Sequence, residues 1–299
     1  MLLEKIKGVS MKKSLLIKMM IISAALGAIL FSANCKRKND TSLKIAGSDT
    51  MVQLSQKLAQ AYMLASPSES VSVQGGGSGT GIASLLNESI DIANSSREMK
   101  QKEWDLGKSK GINIVEHIIA LDALSVIVNP ANSVKQLTIP QLSDIFSGKI
   151  TNWKDVGGAD APIVAISREN NSGTHVYFKE EVLRKGEKES TLEFGKTVTY
   201  AVSSQQIVDQ IKTNKNAIGY IGMGWVTKDV KDVAVQNEKD KKYYLATFEN
   251  GKSKKYPISR GLQMYTNEKS HEKAQKFIDF AMSEKGQAVV KELGFIPVK

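Results

Sequence analysis

The stretch from residue 168 to residue 174, with the sequence RENNSGT, carries the side chains best suited to binding an anion. Arg168 offers a fixed positive charge and a planar fork of N–H donors that matches an oxyanion. An apolar run at residues 162–166 predicts a buried strand before it, and residues 175–183 have apolar positions at helical spacing after it. A strand, a Gly/Ser/Thr loop and a helix in this order leave backbone N–H groups free to face an anion. The other interpretation is a turn that only caps a helix, with Arg168 on the surface.

The same arrangement occurs near the start of the chain. Residues 43–47 alternate between two faces and predict a strand, and residues 51–64 carry apolar side chains at helical spacing. Ser48, Asp49 and Thr50 lie between them, and each has a side chain that can cap the helix. This loop therefore supplies a second set of polar groups.

A third strand–loop–helix unit contains a glycine-rich loop. A strand is predicted at residues 70–74, the loop GGGSGTG occupies residues 75–81, and a helix is predicted at residues 82–86. The glycines allow positive φ and a close approach of the backbone to a ligand. The loop lacks the Lys-Ser/Thr pair of a P-loop, and Ser78 lacks the glycine two residues later that a nucleophile elbow requires. A flexible linker is the other interpretation, which the flanking strand and helix disfavour.

Strands and helices alternate along the rest of the chain, which predicts an α/β fold with mainly parallel sheets. Two apolar strands next to prolines, at residues 123–130 and 256–266, are predicted to cross between two domains. One domain would comprise residues 43–128 and 258–299, and the other residues 129–257. Ligands of such sheets bind beyond the carboxyl ends of the strands. Loops from both domains are therefore expected to face one interdomain cleft.

The composition of the 299-residue chain is that of a globular protein, with 41% hydrophobic and 24% charged residues. The net charge is +10, of which five lysines and one glutamate in residues 1–34 contribute +4, leaving +6. This mild excess suits an anionic ligand, but the sequence has no arginine-rich stripe or nucleic-acid-binding motif. No nucleic-acid partner is expected.

Residues 1–34 have the pattern of an export signal of the lipoprotein type. Lysines precede an apolar segment at residues 21–31 that is too short for a stable membrane-spanning helix. Cys35, the only cysteine in the sequence, follows this segment in a pattern that resembles a lipobox, where the thiol is acylated and the chain is cut before it. Asn34 is larger than the residue usual at its position, so the lipobox would be a relaxed one. The alternative is an ordinary secretory signal with an incidental cysteine.

Export is expected under either interpretation, and a single cysteine cannot form an intrachain disulfide. Residues 35–42 are polar and charged, as suits a tether. The protein is therefore expected in the periplasm or on the cell surface, anchored at Cys35. Met11 is an alternative start to Met1.

The histidines His117, His175 and His271 do not cluster in the sequence with carboxylates or a cysteine. Neither a metal nor another cofactor is expected, and no catalytic residue is assigned. His175 adjoins Thr174, where it either covers the start of the helix or titrates near the anion.

The hydroxyl-rich loops and Arg168 together fit a tetrahedral oxyanion held by many hydrogen bonds at helix N-termini. The sequence resembles the PstS family, the phosphate-binding components of ABC phosphate importers within the type II periplasmic binding proteins. The resemblance covers nearly the whole chain after Cys35. Its most specific segments are residues 75–81, residues 142–153 (LSDIFSGKITNW), and Arg168 with residues 172–174.

The resemblance implies a two-domain fold with two crossover strands and a cleft that binds inorganic phosphate. It further implies a monomer without enzymatic activity that delivers phosphate to an ABC permease in the inner membrane. The implied phosphate-binding residues are Arg168, Ser172, Gly173 and Thr174 from the second domain, and Ser48, Thr50 and Ser78 from the first.

Ser96 departs from the family pattern, because some members have an aspartate there that accepts the proton of phosphate. A carboxylate acceptor rejects sulfate by charge repulsion, since sulfate carries no donor proton near neutral pH. Asp49 could supply the acceptor instead, or could simply cap its helix. Arg97, next to Ser96, could lend charge to the site, but a position on the surface is favoured.

Three other functions stay open. The ligand could be another tetrahedral oxyanion such as sulfate or molybdate, or the protein could be a surface lipoprotein with a vestigial cleft. A phosphoester hydrolase is disfavoured, because the sequence has no metal-binding cluster and no activated serine.

Overall fold

The structure, a computed structural model, describes residues 42–299. The predicted signal peptide at residues 1–34, the lipidation site Cys35 and the rest of the tether up to residue 41 lie outside the described residues. In the part described, no helix is both long enough and apolar enough to cross a membrane.

Strands and helices alternate through the described residues, as the sequence predicts. The strands are β1 (Leu43–Gly47), β2 (Val71–Gln74), β3 (Ile92–Ser95), β4 (Ile114–Val128), β5 (Gln136–Leu137), β6 (Val164–Arg168), β7 (Thr199–Ala201), β8 (Ala217–Gly222), β9 (Lys231–Gln236), β10 (Tyr243–Tyr244) and β11 (Ser259–Asn267). The α-helices are α1 (Val52–Ala65), α2 (Ser78–Leu86), α3 (Gln101–Ser109), α4 (Ile139–Phe146), α5 (Gly173–Phe178), α6 (Ser204–Thr213), α7 (Phe248–Lys252), α8 (His271–Met282) and α9 (Glu284–Glu292).

The main path of the sheet has the strand order β2-β1-β3-β11-β4-β8-β6-β7. The pairs β1–β2, β1–β3, β6–β7 and β6–β8 are parallel, whereas every pair on this path that contains β4 or β11 is antiparallel. The prediction of mainly parallel sheets is therefore right for the two outer parts and wrong at the centre. We call β1–β3 with α1–α3 the first half, and β6–β8 with α4–α6 the second half.

Strand β4 runs unbroken through 15 residues, whereas the sequence predicted a crossing strand only from residue 123. It pairs with β11 as far as Ala123, and from Leu124 onward it pairs with β8. Polar side chains such as Asp122 interrupt its apolar pattern, but the long antiparallel pairing with β11 keeps the backbone extended. Strands β4 and β11 thus connect the two halves, as predicted.

Helix α2 begins at Ser78 inside the glycine-rich loop, four residues earlier than predicted. Gly77 precedes it with a φ of +89°, a conformation that favours glycine. Gly81 lies in the first turn, where a Cβ atom would come within 2.6 Å of both the Ala46 carbonyl oxygen and the Gly47 Cα. This close packing of α2 on β1 brings Ser78 next to the loop that follows β1.

Aromatic rings pack the second half behind the Arg168 loop. Phe178 stacks on Tyr220 with ring centroids 3.7 Å apart, and Phe146 meets Phe178 edge-on at 4.7 Å. Helix α5 ends at Phe178 and continues as a π turn, Lys179–Leu183, where the sequence predicted one helix throughout. The buried rings therefore fix the position of α5, and with it the loop that α5 begins.

His175 lies in α5 and is 4% exposed. Its Nδ1 lies 3.1 Å from Ser167 Oγ, and the same hydroxyl lies 2.6 Å from the Tyr220 hydroxyl. Burial, helped by the positive charge of Lys179, lowers the pKa of His175 to about 4. His175 is therefore neutral near pH 7 and packs at the start of the helix.

We predict that His175 makes stability depend on pH. The unfolded histidine has an ordinary pKa of about 6.5, so between that pH and about 4 the unfolded state binds more protons than the folded state. Stability is then fully present above about pH 6.5 and is lost as the pH falls, by about 2 kcal/mol between about pH 7 and 5. Urea unfolding at both pH values should show this loss in the parent protein and a smaller one in His175→Gln. An equal loss of unfolding free energy in the parent protein and in His175→Gln would contradict the prediction.

We predict that Gly81→Ala lowers the free energy of unfolding by about 1–3 kcal/mol, because the added methyl group meets backbone atoms of β1 that cannot rotate away. Ala83→Ser adds one heavy atom to an exposed position of the same helix and should change stability by less than about 0.5 kcal/mol. Urea unfolding of both variants measures the difference. If Gly81→Ala lost no more stability than the control, the prediction would be wrong, because β1 would have shifted to accommodate the added methyl group.

Candidate oxyanion-binding site

Five hydroxyl side chains from both halves meet where the strands end. Ser48 follows β1, Thr50 lies in the 3₁₀ turn Asp49–Met51, Ser78 begins α2, Ser96 follows β3, and Thr174 lies in α5. Each is at most 1% exposed. The parallel strands β1 and β3 of the first half, and β6 of the second half, all have their carboxyl ends in this region, which is where ligands of such sheets bind. We call these five residues the hydroxyl cluster.

The members of the hydroxyl cluster hydrogen-bond to one another. Ser48 Oγ donates to Ser96 Oγ at 2.9 Å, and Ser96 Oγ lies 3.4 Å from both Ser78 Oγ and Thr174 Oγ1. The Thr50 and Thr174 hydroxyl oxygens are 2.7 Å apart, which joins the first half to the second. Hydroxyl groups can donate or accept, so the cluster can reorganise its hydrogen bonds around a charged oxygen.

Arg168, at the end of β6, lies beside the cluster with a side chain that is 2% exposed. Its Nη2 donates to Asp49 Oδ2 at 2.7 Å and to the Val202 carbonyl at 2.9 Å. Its Nε and Nη1 donate to the Ala201 carbonyl and to Ser204 Oγ. Burial lowers the pKa of Arg168 from its ordinary value while Asp49 opposes the shift. An arginine side chain remains protonated nonetheless, so the alternative interpretation, in which Arg168 lies on the surface, is wrong, and Arg168 is a buried cation.

Asp49 joins the two halves through its carboxylate. Besides accepting from Arg168, it accepts from the Gly76 backbone N–H through Oδ1 at 3.1 Å. The predicted capping role is wrong, because no side chain caps the turn at Asp49–Met51 or the start of α1. The buried Arg168 guanidinium needs a full counter-charge, and the Asp49 carboxylate supplies it. Asp49 therefore pairs with Arg168 instead of capping a helix.

The residues after Arg168 reach the cluster through their backbone. Ser172 caps α5, where its Oγ accepts from the His175 N–H at 3.4 Å. Gly173 comes next, and a Cβ atom there would lie 2.3 Å from Ser78 Oγ and 2.8 Å from Ser96 Oγ. A side chain at residue 173 would therefore occupy the space between the two halves.

Two loops also touch through their backbones. The Gly79 N–H donates to the Asn171 carbonyl at 2.9 Å, and Asn171 Nδ2 donates to the Gly76 carbonyl at 2.9 Å. Trp225, from the turn after β8, donates its indole N–H to the Thr50 carbonyl. The glycine-rich loop and the Arg168 loop are therefore in direct contact.

Arg260 is a site residue that the sequence analysis missed. It lies on β11 with a side chain 3% exposed and donates to Asp122 Oδ2 from both Nε (3.1 Å) and Nη2 (2.9 Å). It also donates to Thr174 Oγ1 at 3.0 Å and to the Ser96 carbonyl at 2.9 Å. The only signal in the sequence is one acid and one base within two apolar strands, and nothing in it says that they face each other.

Arg97 is buried, which makes the expectation of a surface residue wrong. Its side chain is 7% exposed and binds both carboxylate oxygens of Glu103, at 2.8 and 2.7 Å. The chain turns back so that α3 presents Glu103 to Arg97. This fork-to-fork contact gives the buried guanidinium its counter-charge, whereas the Arg97 Nε has no hydrogen-bond partner among the described residues.

Other chemistry finds little support in residues 42–299. No group of three or more His, Cys, Asp or Glu side chains is placed there to bind a metal ion. Ser167 and His175 are in contact, but the serine is fully buried and shares its hydroxyl with Tyr220. A buried serine of this kind cannot reach a substrate as a nucleophile.

Comparison with known sequences places the chain in a family. Residues 33–285 match the PBP superfamily domain. The phosphate-binding protein PstS of Borreliella burgdorferi is 32% identical over 269 residues, which cover 89% of this chain and 94% of that protein. The phosphate-binding protein PstS of Bacillus subtilis is also 32% identical, with 89% and 84% covered.

Solved structures agree with this assignment. A putative phosphate ABC transporter substrate-binding protein from Clostridium perfringens, determined with bound phosphate, superposes with a TM-score of 0.78 at 35% identity, covering 86% of this chain and 100% of that one. An ABC-type phosphate transport receptor from Vibrio cholerae has a TM-score of 0.67 at 32% identity, covering 85% and 99%. The predicted α/β fold of the type II periplasmic binding proteins is confirmed. The chain belongs to the PBP superfamily and, within it, to the PstS family of phosphate-binding proteins.

Proposed function

We propose that this protein captures inorganic phosphate in the hydroxyl cluster and delivers it to an ABC permease. The observation that carries the proposal is the meeting of hydroxyl groups from both halves beside the buried cation of Arg168. The relatives from Borreliella burgdorferi and Bacillus subtilis are named phosphate-binding proteins, and the Clostridium perfringens structure contains phosphate.

The site would hold phosphate mainly by donating hydrogen bonds. Hydroxyl groups and the backbone N–H groups at the start of α5 supply donors, and Arg168 supplies charge, with charge-assisted bonds about twice as strong as neutral ones. A micromolar affinity needs about −8 kcal/mol, which several such bonds can supply after the penalty for ordering the site. The proposed ligand-binding set comprises Ser48, Asp49, Thr50, Ser78, Ser96, Arg168, Ser172, Gly173 and Thr174.

Binding would require the two halves to move apart and close again. The Thr50 and Thr174 hydroxyl oxygens lie 2.7 Å apart, so an anion can be seated between them only if the halves separate. Strands β4 and β11 would form the hinge of this motion. The corresponding domains would be residues 43–128 with 258–299, and residues 129–257.

Selectivity would depend on how the site treats the proton of phosphate. Both oxygens of the Asp49 carboxylate already accept hydrogen bonds, from Arg168 and from the Gly76 N–H. Ser96 then offers a hydroxyl where some relatives use a carboxylate, and a hydroxyl can accept from phosphate or donate to sulfate. Sulfate and molybdate are the competing ligands, and we expect weaker rejection of sulfate than a carboxylate would give.

We propose that the protein is not an enzyme, that it needs neither metal nor cofactor, and that it acts as a monomer. A phosphoester hydrolase would need an accessible nucleophile, whereas Ser167 beside His175 is buried. A phosphatase assay would exclude that alternative. A vestigial cleft on a surface lipoprotein is the other alternative, and failure to bind any oxyanion would favour it.

We also propose that the protein is exported, to the periplasm or the cell surface, and anchored by a lipid on Cys35, with residues 35–42 as the tether. The single cysteine after an apolar signal segment supports this. A tethered receptor stays close to its permease, which raises the effective concentration of bound phosphate at the membrane.

We predict that the full chain, purified in mild detergent and stripped of ligand, binds phosphate in calorimetric titrations near neutral pH. Arg168→Ala should weaken binding by at least about 30-fold, because it removes a buried charge-assisted donor. Arg184→Ala is the matched control, since Arg184 lies in the same half and binds Glu193 and the Leu192 carbonyl instead of the cluster. Its affinity should be unchanged.

The same titrations test the choice of ligand. Ser96→Asp introduces the carboxylate that some relatives have, so it should weaken sulfate binding more than phosphate binding. Equal affinity of the parent protein for both anions would make it a general oxyanion receptor. No heat with either anion would overturn the proposed function.

We predict that the full-length chain expressed in bacteria fractionates with membranes and that Cys35→Ser releases it. Acylation needs the thiol, whereas Asn34→Ala restores a small residue before the cysteine and should keep the protein on the membrane. Immunoblots of membrane and soluble fractions measure the distribution. Membrane association of Cys35→Ser equal to that of the parent would exclude the lipid anchor.

A further inference from the structure

Arg260 contacts both halves of the fold next to the hydroxyl cluster. It lies on β11 and binds Asp122 on β4, the Ser96 carbonyl of the first half, and Thr174 Oγ1 of the second half. The Tyr177 ring lies over the guanidinium, 5.4 Å from centroid to Cζ. Arg260 is therefore held on all sides.

These contacts determine which N–H group of Arg260 reaches the hydroxyl cluster. Nε and Nη2 both point to Asp122, and Nη1 points to the Ser96 carbonyl. The remaining contact is the one from Nη2 to Thr174 Oγ1 at 3.0 Å. The guanidinium thus reaches the hydroxyl cluster through the Thr174 hydroxyl.

The contact restricts the direction of the Thr174 O–H bond. A hydroxyl has one O–H donor and two acceptor lone pairs, and an N–H of Arg260 fills one of these lone pairs. Thr174 must then aim its own hydrogen away from Arg260, towards the side where Thr50 and Ser96 lie 2.7 and 3.4 Å away. This is the side on which an anion held by the cluster would be seated.

Ser78 is oriented in the same way by a different group. Its Oγ accepts from the Ser96 backbone N–H at 3.1 Å, so its hydrogen also has to point elsewhere. The carbonyl of the same residue, Ser96, is held by Arg260 Nη1. Arg260 therefore influences one hydroxyl of each half, directly at Thr174 and through the Ser96 backbone at Ser78.

We propose that Arg260 is a positioning residue of the oxyanion site: it fixes the Thr174 hydroxyl as a donor to the bound anion. Arg168 supplies positive charge beside the anion. Arg260 lies one hydrogen bond further away, where it polarises and orients the Thr174 O–H group. Preorganised donors bind an anion more tightly than donors that must rotate into place. The inference rests on the proposed phosphate site.

A purely structural role is the competing explanation. The Arg260–Asp122 pair is buried and links β4 to β11, so removing Arg260 leaves Asp122 as an uncompensated buried charge and destabilises the fold. Affinity would then fall only because the fold is weakened. The variants below separate these two effects.

The first test is a double-mutant cycle on the full chain, with phosphate affinity measured by calorimetric titration. Arg260→Gln and Thr174→Val should each weaken binding by about 10- to 100-fold, the effect of one charge-assisted hydrogen bond. In the Thr174→Val background, Arg260→Gln should cost less than about threefold, because its route to the anion is already gone. Losses that multiply would overturn the proposal.

The second test separates stability from affinity. Asp122→Asn with Arg260→Gln removes both charges, so urea unfolding should show that it recovers most of the stability lost in Arg260→Gln alone. Phosphate affinity should stay low, because no cation polarises Thr174. Recovery of affinity together with stability would overturn the proposal in favour of the structural role.

Arg260→Lys covers the case in which Arg260→Gln does not fold. Lysine keeps the positive charge but cannot hold Asp122, the Ser96 carbonyl and Thr174 with one planar fork. We expect an affinity between those of the parent and Thr174→Val, and parental affinity would overturn the proposal. If the parent protein itself binds no phosphate, the proposed function fails first; if it binds but the cycle is additive, only the role of Arg260 fails.

Discussion

A guanidinium can be buried only if its N–H groups find acceptors and its charge finds a counter-charge. Arg168 meets both conditions with groups from the two halves. The carbonyls at the end of β7 belong to its own half, and Asp49 comes from the loop after β1. The loop after β1 must therefore approach β6 closely. The hydroxyls of Thr50 and Thr174 meet because this ion pair brings their loops together.

Two more buried arginines near the hydroxyl cluster also have a carboxylate counter-charge. Glu103 neutralises Arg97 and Asp122 neutralises Arg260, in each case with a short hydrogen-bonded contact. Because each arginine is paired with a carboxylate, the three arginines add little long-range positive potential, although each adds directed, charged N–H groups at close range. An anion that enters is recognised by oriented donors at close range, and a long-range positive field contributes little because each cation has its partner.

The sequence predicts the parts of this site that depend on local chemistry. Loops after short strands place Ser48, Thr50 and Ser96 at strand ends, and the carboxyl ends of parallel strands always meet at one edge. The sequence does not predict that Asp122 faces Arg260, because 138 residues separate them and only the register of β4 against β11 brings them together. For the same reason, the residues next to Arg97 in the sequence do not show that its side chain is buried.

The hydrogen-bonding group at residue 96 determines how well such a site can tell a protonated anion from an unprotonated one. A carboxylate only accepts, so it favours an anion that brings its own proton and repels one that does not. A hydroxyl does both, and Ser96 already accepts from Ser48 while its backbone N–H orients Ser78. With Thr174 and Ser78 proposed as donors, Ser96 keeps a proton that can turn either way. If the proposed site binds the anion, it would distinguish anions by shape and by the number of hydrogen bonds they accept. A single proton on the ligand would then change the binding energy by one neutral hydrogen bond, about 1 kcal/mol, instead of by the repulsion between two charges.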